Sequence, residues 1–160
     1  PCTHLDMVRP GIALYGHYPH PSCEGLDGPG LLPVMTLKTR VASVKEVPAG
    51  TCVSYGCTHT LDRDSRLAVL PMGYADGLNR LCSDRLEVSV GGRRARVVGR
   101  ICMDLCMIDV TDLPDVAQGD VVTVYGEDIP VEEAAALVGT IQYELLCAVS
   151  RRVPRIYLGE

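Results

Sequence analysis

Leu86-Glu87-Val88-Ser89-Val90-Gly91-Gly92-Arg93-Arg94-Ala95-Arg96-Val97-Val98 decides the fold. Two strand-like runs, Leu86 to Val90 and Arg93 to Val98, flank a Gly-Gly pair. Glycines readily supply the φ > 0 that a primed two-residue turn needs, so the stretch reads as an antiparallel hairpin. Strand signals continue on both sides. Met35 to Val47 is rich in β-branched residues and ends at the turn Pro48-Ala49-Gly50. Leu67 to Met72 is a short apolar run stopped by Gly73. Cys106 to Val110 and Val121 to Tyr125 are two more strands, separated by a loop around Pro114 and Gly119.

Helical signals are few. Val131 to Val138 has Glu132 and Glu133 in its first turn, an alanine-rich body, and Gly139 where a C′ residue belongs. A second short turn is expected over Tyr143 to Val149. Val153 and Ile156 to Leu158 read as a closing strand. Six or more short strands with so little helix predict a mainly β fold. The expected architecture is a closed or nearly closed antiparallel Greek-key-like β-barrel with one or two short helices. Upstream, Arg9 to Gly16 is an apolar segment punctuated by glycines. His17 to Pro33 lacks periodicity and reads as a connector.

A chain of 160 residues forms one domain and buries roughly 68–70 % of its unfolded surface. Phe and Trp are absent, so seven Tyr are its only large rings. A buried phenol needs a hydrogen-bond partner, which predicts some of these tyrosines at a wet cleft or an interface. The net charge of −5 argues against a nucleic-acid partner. The one dense basic run, Arg93, Arg94 and Arg96, follows Gly91-Gly92 and reads as a solvated hairpin edge. No apolar run approaches the ~18 residues of a membrane span, and no signal peptide is visible. The chain opens Pro1-Cys2-Thr3 without an initiator methionine, as a fragment of a longer polypeptide would.

The eight cysteines, Cys2, Cys23, Cys52, Cys57, Cys82, Cys102, Cys106 and Cys147, include no C-x-x-C pair and no histidine at ligand spacing. That argues against zinc. A disulfide framework belongs to small secreted domains with weak cores. Reduced thiols in a cytosolic protein are therefore the expectation.

Three segments set polar side chains beside glycine at the ends of apolar runs: Val53-Ser54-Tyr55-Gly56, Gly73-Tyr74-Ala75-Asp76-Gly77 and Gly99-Arg100-Ile101-Cys102-Met103-Asp104. Each has an ordinary structural reading: a strand-end tyrosine, an Asp-Gly turn, and core packing by Cys and Met. A nucleophilic Cys102 lacks a nearby histidine base. A phenol titrates near about 10, so Tyr55 can remove a proton only if its own pKa is lowered or the substrate proton is made acidic.

As a set, and in this spacing, the segments resemble the C-terminal domain of the bacterial alanine racemases, enzymes that use pyridoxal phosphate. The likeness runs from Val8 to about Tyr157. It implies that Tyr55 is the catalytic base on the L face of the bound amino acid, acting across a subunit boundary. A lysine of the partner barrel serves the other face. It further implies that Cys102 and Met103 lie at the substrate carboxylate, and that Tyr74, Arg80 and Arg100 line the substrate entrance. Arg9, Gly11, Ile12 and Tyr143 are implied contacts of the cofactor: Arg9 at the pyridine nitrogen, backbone amides at Gly11 and Ile12 on the phosphate, and Tyr143 narrowing the pocket in favour of alanine.

On this resemblance residues 1–30 are the end of an N-terminal barrel plus linker, and 31–160 are the C-terminal β domain. No cofactor-anchoring lysine is present; Lys38 and Lys45 share one strand-like segment. The implied protein is a cytoplasmic homodimer that interconverts L- and D-alanine for cell-wall synthesis, and this chain alone is expected to be inactive. Two other readings stand beside it: a non-catalytic β-barrel for assembly or dimerisation, and the cytoplasmic part of a membrane-anchored serine/alanine racemase.

Overall fold

A computed structural model describes residues 6–23, 25 and 30–159. The chain divides into two compact units, Pro1–Thr36 and Leu37–Glu160. In the first, a 3₁₀ turn over Gly11–Tyr15 buries Ile12 and ends at Gly16, whose φ is +79°. The Val34 N–H donates to the Tyr15 carbonyl at 3.1 Å. The connector carries one further 3₁₀ turn, Pro21–Cys23. Cys2 lies outside the described residues.

The second unit is mainly β. Its strands are β1 (Leu37–Arg40), β2 (Ser43–Val47), β3 (Cys52–Val53), β4 (His59–Thr60), β5 (Ser65–Leu70), β6 (Glu87–Val90), β7 (Arg93–Val98), β8 (Cys106–Asp109) and β9 (Val121–Tyr125). Seven of them form one curled antiparallel sheet in the order β1-β9-β6-β7-β8-β5-β2, and β3 pairs only with β4. The predicted hairpin forms in register, Glu87 opposite Arg96 and Val90 opposite Arg93. Its Gly91 and Gly92 both take positive φ, +57° and +76°, as a primed turn requires.

The run read as one strand, Met35 to Val47, is two. It breaks at Val41-Ala42 because that dipeptide joins opposite edges of the sheet. The Val41 N–H donates to the Asp120 carbonyl at 2.9 Å, on the β9 side. The Ala42 N–H donates to the Val69 carbonyl at 2.8 Å, on β5. The first and last strands in the order are thus consecutive in the chain, and the sheet curls into a partly closed barrel.

Its interior is filled by Val88, Val97, Ile108 and Val122 from central strands, each fully buried. Burial of a side chain of this size stabilises by about 1.5–3 kcal/mol. Helices α1 (Val131–Val138) and α2 (Gln142–Ala148) pack on each other, with Ala134, Ala135 and Leu145 buried. Gly139 ends α1 at φ +74°.

The arginines of β7 are paired rather than merely solvated. Arg94 bridges Glu87 at 3.2 Å and Glu133 of α1 at 2.7 Å, tying the hairpin to the helix. Arg93 donates to the Asp112 carbonyl and Arg96 to that of Asp84. The expected closing strand is absent. Val153 and Ile156–Leu158 join no ladder, and Ile156, Tyr157 and Leu158 are highly exposed. Pro154 offers no N–H to a ladder, while Arg155 is held on the carbonyls of Val149, Ser150 and Val153. Among the described residues, no helix is long and apolar enough to cross a membrane.

Candidate active site

Tyr55 sits at the tip of the β3–β4 hairpin, in a 3₁₀ turn over Tyr55–Cys57. Three of the four residues Ser54–Cys57 have positive φ: Ser54 (64°), Gly56 (75°) and Cys57 (48°). Ser54, with ψ −174°, occupies a region open essentially to glycine alone. A turn of this kind persists only if its surroundings over-determine it, and they do. The Ser54 Oγ–H donates to the Arg100 carbonyl at 2.7 Å and lies 3.4 Å from Cys102 Sγ.

Gly99, at φ +72°, packs against the same turn; a Cβ there would stand 2.7 Å from the Val53 carbonyl oxygen. Its N–H donates to Asp84 Oδ1 at 2.6 Å, and that oxygen also meets His59 Nδ1 at 2.9 Å. The start of the Tyr55 turn is therefore fastened directly to the Gly99–Asp104 segment, and β4 beyond it is tied to Gly99 through Asp84. The ring itself projects into solvent, 73 % exposed.

The Gly73–Gly77 segment lies against the other side of that loop. The N–H groups of Tyr74 and Ala75 donate to the carbonyls of Cys102 and Met103, both at 3.0 Å. The approach is close enough that a Cβ on Gly73 would fall 2.2 Å from the Cys102 oxygen. With its carbonyl turned into the scaffold, Met103 presents its side chain outward, 54 % exposed. Asp76 locks the turn: its Oδ2 accepts the Gly73 N–H at 2.8 Å, and its Oδ1 meets Arg152 Nε at 2.8 Å. Arg152 also reaches Asp104 at 2.6 Å, so this one guanidinium holds two motif loops together.

The structure thus brings Tyr55, Tyr74, Arg100, Cys102 and Met103 into one cluster of loops. Arg100 sets its guanidinium over Gly56, 3.4 Å from where a Cβ would stand. Arg80 is exposed in the following 3₁₀ turn, Arg80–Cys82, which is tied to the loop through Ser83: its Oγ donates to the Arg80 carbonyl and accepts the Ile101 N–H. Tyr143 is half-buried on α2, whose C-terminal end abuts Gly77. Arg9, Gly11 and Ile12 belong to the N-terminal unit, around its first 3₁₀ turn, with Arg9 and Gly11 exposed and Ile12 buried. Lys38 and Lys45 are exposed on β1 and β2, not on any motif loop.

The thiols divide sharply. Burial pushes Cys82 up to about 11 and Cys106 up to about 12, so both stay protonated and unreactive at neutral pH. Cys23, Cys102 and Cys147 are also free. Cys52 and Cys57 are not: they form a disulfide around Val53-Ser54-Tyr55-Gly56, which corrects the expectation of reduced thiols. A single bridge across a tight turn needs no disulfide framework, because chain geometry alone brings the two residues within reach. Also missed were Ser54, Asp84 and His59. Serine before an exposed aromatic is too common to stand out, and the Asp84–Gly99 contact spans fifteen residues. No group of three or more His, Cys, Asp or Glu that could hold a metal ion occurs among the described residues.

Comparison with known proteins accords with this arrangement. Residues 34–157 match the family described as alanine racemase, C-terminal domain. The alanine racemase of Desulforamulus reducens is 52 % identical over 162 residues, covering 99 % of this chain and 43 % of that protein. A crystal structure of alanine racemase from D-cycloserine-producing Streptomyces lavendulae superposes with TM-score 0.90 at 41 % identity, covering 100 % of this chain and 43 % of that one. The alanine racemase of Bartonella henselae with covalently bound pyridoxal phosphate gives 0.88 at 36 % identity, over 96 % and 42 %. The chain spans about two fifths of the length of the curated relatives it matches.

Proposed function

The chain belongs to the alanine racemase family, as its C-terminal domain, and on that premise we propose that it supplies Tyr55 as a proton-transfer group to the active site of a partner subunit. The observation that carries this reading is the exposed phenol at the tip of a turn held from both sides. A ring meant for packing would be buried; one meant to reach another polypeptide must stand out from a rigid support.

The residues fit a pyridoxal phosphate site in part. Gly11 opens its turn at φ +60° with nothing within 4 Å of a Cβ position, beside the exposed Arg9. A guanidinium and main-chain N–H groups suit a ring nitrogen and a phosphate, with Tyr143 as a further contact. No lysine of this chain lies on the motif loops, so the anchoring lysine belongs to a barrel outside this sequence. The chemistry that pyridoxal phosphate held there would supply is electron withdrawal, which would make the substrate Cα–H acidic.

The chain's own residues do the rest. Tyr55 Oη takes or returns the Cα proton on one face of alanine. The Cys102-Met103 loop lies at the substrate carboxylate. Tyr74, Arg80 and Arg100 line the approach with hydrogen-bonding and positive groups suited to a carboxylate. Tyr143 restricts the pocket to a small side chain, which favours alanine over serine. The working unit is a cytoplasmic homodimer supplying D-alanine to the cell wall, and this chain without its barrel neither holds the cofactor nor turns over substrate.

Tyr55→Phe in the full-length enzyme tests the reading. Loss of a positioned acid–base group lowers turnover in both directions by about 10²–10⁴-fold, with the dimer intact by light scattering. Unchanged turnover with an intact dimer overturns it in favour of a non-catalytic assembly module.

A further inference from the structure

We propose that Cys52 and Cys57 form a reversible thiol–disulfide site, modified by low-molecular-weight disulfides, that sets the conformation of the Tyr55 turn. The two cysteines bracket the segment Val53-Ser54-Tyr55-Gly56, and both are exposed. Their Cα atoms are 4.9 Å apart, within the range a disulfide spans without backbone movement. They are also the only disulfide-bonded pair among the described residues; the remaining described cysteines are free.

The segment between them is poised to respond. β3 and β4 form a two-residue ladder, Cys52 opposite Thr60 and Val53 opposite His59, too short to be stable alone. Ser54 and Cys57 hold positive φ without being glycine, a conformation that relaxes when its restraints are removed. The crosslink closes this loop covalently. On reduction, the Ser54–Arg100 hydrogen bond, the Gly99 contact and the His59–Asp84 pair remain as its fastenings. The disulfide thus supplies a restraint that the surrounding chemistry can add or remove.

The exchange balances. The thiolate of one cysteine attacks a sulfur of RSSR, forming a mixed disulfide and releasing one RS⁻. The second thiolate attacks the cysteine sulfur of that mixed disulfide and expels the other RS⁻. Two thiols are oxidised to one disulfide, RSSR is reduced to two RSH, and those take up the two thiol protons.

The test does not depend on Tyr55 being catalytic, so it separates this inference from the functional proposal. The full-length enzyme is equilibrated in reduced and oxidised glutathione buffers, alkylated and digested with trypsin. The peptide from Glu46 to Arg63 contains both cysteines and no other. The expected result is loss of two hydrogens from this peptide in oxidising buffer, full alkylation at both cysteines in reducing buffer, and interconversion on changing buffer. Amide exchange at Val53–Gly56 is expected to be at least about fivefold faster in the reduced state. In Cys52→Ser/Cys57→Ser it should match the reduced state in either buffer, while the Gly91-Gly92 turn is unchanged throughout. A glutathione adduct without ring closure, a pair that does not interconvert, or identical exchange in the two states overturns the proposal.

Discussion

The turn that carries Tyr55 and the end of β9 that carries Tyr125 use the same side chain in opposite ways. Tyr55 stands almost free of the protein it belongs to, while its turn contains three positive-φ residues and is confined by a disulfide and by the Ser54 hydrogen bond to the Arg100 carbonyl. Tyr125 has ordinary strand backbone opposite Leu37, yet its ring is sealed in the core, 1 % exposed, and its hydroxyl has no hydrogen-bond partner among the described residues. Burial, with Cys82 nearby, drives the Tyr125 phenol above its ordinary pKa. One ring is held by its main chain and left chemically available; the other is held by its surroundings and silenced. The lesson is that tyrosine content says little here, and backbone restraint says much.

The sharpest way to break the comparison is Gly99→Ala. A left-handed alanine costs about 1–2 kcal/mol, and the overlap with the Val53 carbonyl adds about 1–3 kcal/mol. A loss near about 3 kcal/mol by urea denaturation is expected, with disorder centred on Tyr55 rather than Tyr125. An effect of comparable size is expected from alkali. Cys82 and Cys106 have folded-state pKa values raised by burial to about 11 and about 12, against 9.0 for the ordinary thiol. Their stabilisation is full below about pH 9 and is lost as pH rises through the folded values, because the unfolded chain ionises first. Stability should fall by a few kcal/mol between about pH 9 and 12. A flat profile there would show that the core is wetter than its burial indicates.

Ser54→Ala removes the donor to the Arg100 carbonyl and should cost about 1 kcal/mol. Ser54→Gly should cost less, because relief of the positive φ offsets part of that loss. Equal losses by calorimetry would mean that Ser54 is not strained. The smallest change is expected from Tyr125→Phe. Removing an unpaired buried hydroxyl should raise stability by about 0.5–1 kcal/mol, read from the denaturant midpoint. A loss instead would reveal a partner for that oxygen.

How far the sequence could be read follows the range of the interactions. The β6–β7 hairpin, β5, β8, β9 and α1 were all legible, since each depends on a local turn, a period or a cap. The division of Met35–Val47 was not, because the break at Val41 answers to Asp120 and Val69, far along the chain. The missing closing strand failed for a similar reason: Ile156–Leu158 has strand composition but no ladder to join. Among the candidate site residues, Tyr55, Tyr74, Arg100, Cys102 and Met103 lie on motif loops that the fold brings together. The contacts that support them, made by Ser54, Asp84, His59 and Arg152, span fifteen to seventy-six residues, a range over which a local motif reports no pairing.

The placement of β1 and β2 at opposite edges of the seven-strand order bears on how this domain assembles as it leaves the ribosome. β2 must wait for β5, but β1 stays unpaired until Tyr125 and its neighbours have been synthesised. The hairpin at Gly91-Gly92 needs only adjacent residues, so it is the natural nucleus, and the β1–β9 seam closes last. Substitutions at Gly91 or Gly92 should then slow folding, whereas those at Leu37 should chiefly speed unfolding, and stopped-flow kinetics would separate the two.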